Sequence, residues 1–95
     1  MTRAVLWSSR ALRDLKDQVE FIAYDNIDAS GRVAQVIRKS GNDLGRFATG
    51  RPGRISGLFE KSVPRLPYII VYRIREESIV ILRVIHTARD WRGEV

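Results

Sequence analysis

The sequence predicts an α+β fold: a short N-terminal strand, then an antiparallel helical hairpin packed on an antiparallel C-terminal β-sheet. Three observations carry this. Residues 9–44 place apolar side chains at helical spacing, residues 58–86 hold runs rich in β-branched and aromatic side chains, and all three prolines (Pro52, Pro64, Pro67) fall in the second half. With 95 residues, positions 1–95 are expected to form a single domain, because one hydrophobic core usually takes about 50–200 residues.

Ala4–Trp7 is a short apolar run that reads as the first strand. Ser8 follows as a helix cap, with Trp7 and Leu12 at the positions where an apolar staple forms. Leu12, Leu15, Val19, Ile22 and Ala23 share one helix face, which predicts a helix from about Ser9 to Tyr24. Asp25-Asn26 interrupts the pattern, and Asn26 caps a second helix. Its stripe is Val33, Val36, Ile37, Ser40 and Leu44, and Gly45 is the expected stop. Gly31 and Gly41 each cost about 1 kcal/mol relative to alanine inside a helix, so packing has to stabilise this one. A link this short makes the two helices an antiparallel pair.

Residues 45–57 contain four glycines after Gly45 is counted, and three arginines, the composition of a loop. Leu58–Val63, Tyr68–Ile74 and Ser78–His86 read as strands, with Pro64 and Pro67 around the first connection and Arg75-Glu76-Glu77 as a tight second one. Strict alternation along the last two strands sends Ile70, Tyr72, Ile74, Val80, Leu82 and Val84 towards the helices. It sends Ile69, Val71, Arg73, Ile79, Ile81, Arg83 and Ile85 to the opposite face. No third layer remains in the sequence to cover that face, so it is expected to be an open partner surface.

Composition narrows the chemistry. Apolar residues make up 44% and charged residues 29%, a globular mixture that argues against overall disorder. The net charge is +6, with 17 Lys+Arg against 11 Asp+Glu, and 14 of the cations are arginines. The positive excess lies mainly after residue 45, so anionic partners are expected. Absence of cysteine excludes thiol catalysis, disulfides and Cys-ligated metals, and a single histidine, His86, excludes a His-rich metal site. No metal or cofactor is expected. The longest apolar run, Tyr68–Tyr72, is far short of the ~20 residues of a membrane helix. Met1-Thr2-Arg3 leads into no signal-peptide core, so a cytoplasmic location without membrane contact is expected.

Several stretches resemble the RelE/ParE superfamily of bacterial type II toxins: Gly50-Arg51-Pro52-Gly53-Arg54, Pro67 to Ile74, and Ile81 to Trp91. The order strand–helix–helix–strand–strand–strand matches as well, and the likeness covers nearly the whole chain. It implies a growth-inhibiting toxin neutralised by a cognate antitoxin that is acidic and partly disordered alone, with operator DNA contacted through that antitoxin. Two activities occur in such proteins: poisoning of DNA gyrase, and metal-independent cleavage of mRNA on the ribosome. RNA-cutting members often carry arginine where this chain has Ile69, and a late tyrosine or histidine. No tyrosine follows Tyr72, whereas Arg89 matches a C-terminal arginine of that group and His86 lies near a histidine position. The resemblance therefore favours a ParE-like gyrase poison; the alternatives are a RelE-like mRNA endonuclease or a non-toxic autoregulatory subunit.

Catalytic residues on the endonuclease alternative are Arg89 and His86, as a transition-state cation and a general acid/base. His86 otherwise reads as a packed strand-end side chain. Arg51, Arg54, Arg73, Arg83 and Arg89 are the expected contacts to the target or to nucleic acid. Ile69, Val71, Arg73, Ile81, Arg83 and Ile85, on the expected open face, are the antitoxin contacts. Glu60 is the carboxylate nearest the basic loop and reads as a strand-surface charge.

Overall fold

The computed structural model describes residues 2–88. Its elements are β1 (Ala4–Trp7), α1 (Ser9–Ala23), α2 (Ile27–Asp43), β2 (Arg51–Pro52), β3 (Phe59–Ser62), β4 (Tyr68–Ile74) and β5 (Ser78–His86). Five strands form one sheet in the order β1-β5-β4-β3-β2. β2 to β5 pair antiparallel, and β1 joins β5 in parallel. The sheet is therefore mixed at one edge: the sequence located β1, and only the fold assigns its neighbour. β2 is a further departure, since the glycine-rich loop contains two paired residues.

Caps behave as the sequence predicts. Ser8 accepts from the Ala11 amide at 3.0 Å, and its hydroxyl donates to the Leu82 carbonyl at 3.1 Å, tying α1 to β5. Asn26 accepts from the Ala29 amide at 3.0 Å. The buried face of α1 is rotated from the predicted stripe, however. Ala11, Asp14 and Leu15 are buried and Leu12 is half exposed, so Leu12 is no core staple. Trp7 instead meets α2, where its indole N–H donates to Asn42 Oδ1 at 2.9 Å. A Cβ on Gly41 would lie 2.5 Å from the Trp7 ring and 2.8 Å from Ile81. The helix-weakening glycine thus permits close packing, which offsets its propensity cost.

The helices cover one face of the sheet. Leu15, Ile37, Leu44, Ile70, Tyr72, Ile79, Ile81 and Val84 are central to that core. A second, smaller cluster on the other face joins Leu58, Ile69, Val71 and Ile85, with Ile55 and Leu82 packed on it. The alternation predicted for β5 is half corrected. Val71 pairs with Arg83 but Tyr72 pairs with Ile81, leaving Leu82 as an extra residue in a β-bulge. A bulge offsets the two-residue period by one. Upstream of it Ile79 and Ile81 enter the helix-side core, reversing the prediction, and Leu82 packs on the opposite cluster. Downstream, Val84 and Ile85 point as predicted.

Candidate functional site

The basic loop is organised from beneath by a buried acid. Glu60 on β3 is 2% exposed. Its Oε2 accepts the Arg54 backbone N–H at 2.8 Å, and its Oε1 meets the Arg51 guanidinium at 3.3 Å. Such burial makes Glu60 a loop anchor, correcting its expected place as a surface charge. Gly50 enters the loop with φ of +127°, where a Cβ would strike the Glu60 carbonyl oxygen at 2.5 Å; glycine alone suits that backbone. Tyr72 adds a second tie by donating its hydroxyl to the Thr49 carbonyl. Burial pushes the Tyr72 phenol above its ordinary value, and Tyr68, which donates to Gln18 Oε1 at 3.4 Å, shifts the same way for the same reason. Arg51 and Arg54 consequently stand exposed on a braced loop.

Arg83 is placed very differently. Its Nε and Nη2 donate to the two oxygens of Asp14 on α1 at 2.7 and 3.2 Å, and the Val84 N–H donates to Asp14 Oδ2 at 2.9 Å. Arg83 is 2% exposed. The expectation that it lines an open surface is therefore corrected: the cation fastens the bulge of β5 to α1. Asp14 was not singled out from the sequence. The available signal was its position between Ala11 and Leu15 on the buried side, because an acid there requires a partner.

The antitoxin-contact set divides. Ile69, Val71 and Ile85 do share the face opposite the helices, but they are almost wholly buried with Leu58, where an open face was expected. The segment after β2 supplies part of that cover, a role its glycine-rich composition concealed. Ile81 lies in the helix-side core because of the bulge. Arg73 alone of the six is exposed, on β4.

His86 is half buried at the end of β5. Its ring sits edge-on to Tyr68 at 5.5 Å, and its Nδ1 accepts from the Ala88 amide at 3.2 Å. Those contacts engage one ring nitrogen and one side of the imidazole. Arg89, the other catalytic candidate, lies outside the described residues. The described residues place Arg51 and Arg54 together on the loop, whereas Arg83 is drawn off to the helix side. Among the described residues no group of three His, Cys, Asp or Glu is arranged to hold a metal, and no helix is long and apolar enough to cross a membrane.

Residues 5–91 match the family model described as ParE toxin of type II toxin–antitoxin system, parDE. The chain is 38% identical over 90 residues to Y4kP of Sinorhizobium fredii, which is named as a proposed toxin, covering 94% of this chain and 93% of the relative. Among solved structures, a chain of the chromosomal ParDE system from P. aeruginosa superposes with a TM-score of 0.82 at 21% identity, covering 90% of this chain and 96% of that one. A chain of the Mycobacterium tuberculosis RelBE2 toxin–antitoxin complex gives 0.66 at 28% identity, covering 94% and 95%.

Proposed function

The chain belongs to the ParE toxin family of type II toxin–antitoxin systems, and from that membership we propose that it arrests growth by binding DNA gyrase and holding it on cleaved DNA, with an acidic antitoxin as its inhibitor. On this reading it is a protein inhibitor and performs no chemistry itself.

One observation carries the choice of target. Cleaving RNA without a metal requires cations and an acid/base to converge on one phosphate, to activate the 2′-hydroxyl and to stabilise the charge that develops. On the sheet face away from the helices, this chain places Ile69, Val71, Ile85 and Leu58 in a closed apolar cluster. Ile69 stands where RNA-cutting relatives often have arginine, and it is 4% exposed. The nearby strand cation, Arg83, is committed to Asp14. Arg51 and Arg54, exposed on the segment that Glu60 anchors, suit recognition of a DNA-bound enzyme through charge.

The test is direct. Purified chain is added to gyrase supercoiling assays and to translating ribosomes. Loss of supercoiling with accumulation of cleaved DNA, and intact mRNA, is the expected outcome. Prompt mRNA cutting with gyrase unaffected would overturn the reading in favour of the endonuclease; in that case Arg89→Ala should slow cleavage by about 100-fold, the usual effect of losing an electrostatic donor.

A further inference from the structure

A cavity of about 400 Å³ opens between the C-terminal end of α2 and β3. It adjoins the braced loop through Thr49 and Lys61, but its lining includes neither Glu60 nor the Asp14–Arg83 pair. Leu44, Phe47 and Pro64 give it an apolar lining, and Lys39, Arg46 and Lys61 surround them. Asp43 is its single carboxylate. Phe47 is 69% exposed and lies beside the exposed Pro64 at the mouth of the cavity, which joins apolar surface to the surrounding cations.

Charge identifies that partner. Lys39 is held by Asp43 at 2.9 Å, and Lys61 donates to the Thr49 hydroxyl at 2.8 Å. Arg46 is exposed, so the groove keeps an excess of positive charge. The carbonyl end of α2 contributes partial negative charge nearby, and Asp43 offsets Lys39, but Arg46 and Lys61 still leave a net positive rim. Leu44 is buried at the floor, so a segment that fits must bring apolar side chains to Phe47 and Pro64, with carboxylates beside them for Arg46 and Lys61.

We infer that this α2–β3 groove is the docking site for an acidic, apolar segment of the antitoxin, in place of the sheet face that the fold has closed. The inference rests on the toxin reading, which supplies an antitoxin as the partner. The segment inserts an aliphatic or aromatic anchor against Phe47 and sets its acids against the surrounding cations. A cavity of this size accepts one or two large side chains, and the flanking charges fix their orientation.

The experiment uses the full chain and the antitoxin encoded beside it, with affinities measured by calorimetry at two salt concentrations. Phe47→Asp should weaken binding by about 30-fold or more, as loss of a central aromatic anchor does. Arg46→Glu with Lys61→Glu should weaken it about 10-fold or more and flatten its salt dependence. Arg13→Glu, an exposed change on α1, should bind like wild type. Circular dichroism melts confirm that each variant is folded, and hydrogen exchange of the wild-type complex should show protection concentrated in residues 39–49 and 61–64. If the folded groove variants bind within twofold of wild type, or if protection falls elsewhere, the groove assignment is overturned while the toxin reading stands. If wild type binds no antitoxin, the toxin reading falls and the groove proposal with it. A dimer that Phe47→Asp turns into monomer would assign the groove to a second copy and overturn the proposal.

Discussion

Two arginine–carboxylate pairs sit at opposite sides of this sheet, and their difference separates architecture from presentation. In the Asp14–Arg83 pair both side chains are buried, at 10% and 2% exposure. Asp14 also accepts the Val84 amide, and Arg10 approaches it at 3.6 Å. In the Arg51–Glu60 pair the acid is 2% exposed and the arginine 56%. Both contacts join the same chemical groups. In the first the cation is consumed by the fold; in the second a buried acid steadies a loop whose cation stays largely exposed. Residue type alone does not distinguish an arginine locked into the core from one presented at the surface. The burial of each partner does.

The sharpest way to break this contrast is Arg83→Ala. Removing one member of a buried pair leaves a charge uncompensated, which typically costs about 3–5 kcal/mol. At roughly 4–8 °C per kcal/mol for a domain of this size, the melting temperature should fall by more than ten degrees. A loss below ~1 kcal/mol in urea titrations would show that Arg83 is not a structural anchor.

Glu60→Ala should come next. It strands the Arg54 amide and releases Arg51, at a cost of about 1–3 kcal/mol for an unsatisfied buried donor. Faster hydrogen exchange confined to residues 50–58 is the matching local signature; unchanged exchange there would remove Glu60 from the anchoring role. Gly50→Ala should loosen the same loop by about 1–3 kcal/mol of backbone strain, and an unperturbed melting temperature would contradict the steric assignment.

Arg51→Ala should have the smallest effect on stability, below ~1 kcal/mol because the arginine is largely exposed and screened. On the proposed gyrase reading its effect belongs in target engagement: inhibition of gyrase should weaken while the fold holds. Equal gyrase inhibition by Arg51→Ala and Arg54→Ala, alone and combined, would remove the loop from the target contact.

The tyrosines mark the alkaline boundary. Burial holds Tyr68 and Tyr72 neutral, raising both above 10. A group whose folded value is raised contributes stability that is present in full below the unfolded value. That stability is lost as pH rises through the folded value, so unfolding should set in above about pH 10. Absorbance titration of phenolate in the wild type and in Tyr72→Phe checks this. Ordinary titration of both rings in the folded protein would contradict their burial.

Much of this was legible from sequence because it depends on local chemistry. Ser8 and Asn26 announce their helices through capping oxygens, and prolines and glycines bracket the strands. The long β4 and β5 runs of branched residues have one plausible secondary structure. The excess of arginine indicated anionic surroundings. Stretches such as Gly50 to Arg54 and Pro67 to Ile74 carried the family likeness. The candidate site was less legible. Arg51 and Arg54 were found as a pair, but the acid that holds them was read as surface, since a strand residue does not disclose which face its sheet will cover.

What the sequence determined by itself is therefore the order of every element but β2, their approximate ends and the family. Only the tertiary structure decided which side chains of β5 face the helices, because the single extra residue at Leu82 reverses the alternation without changing composition. It also decided that Asp14 and Arg83, 69 positions apart, meet, and that Ile55 and Leu58 close the face on Ile69, Val71 and Ile85. These outcomes arise from burial between distant segments. Burial is set by how the layers pack, and no local window of the chain contains that information.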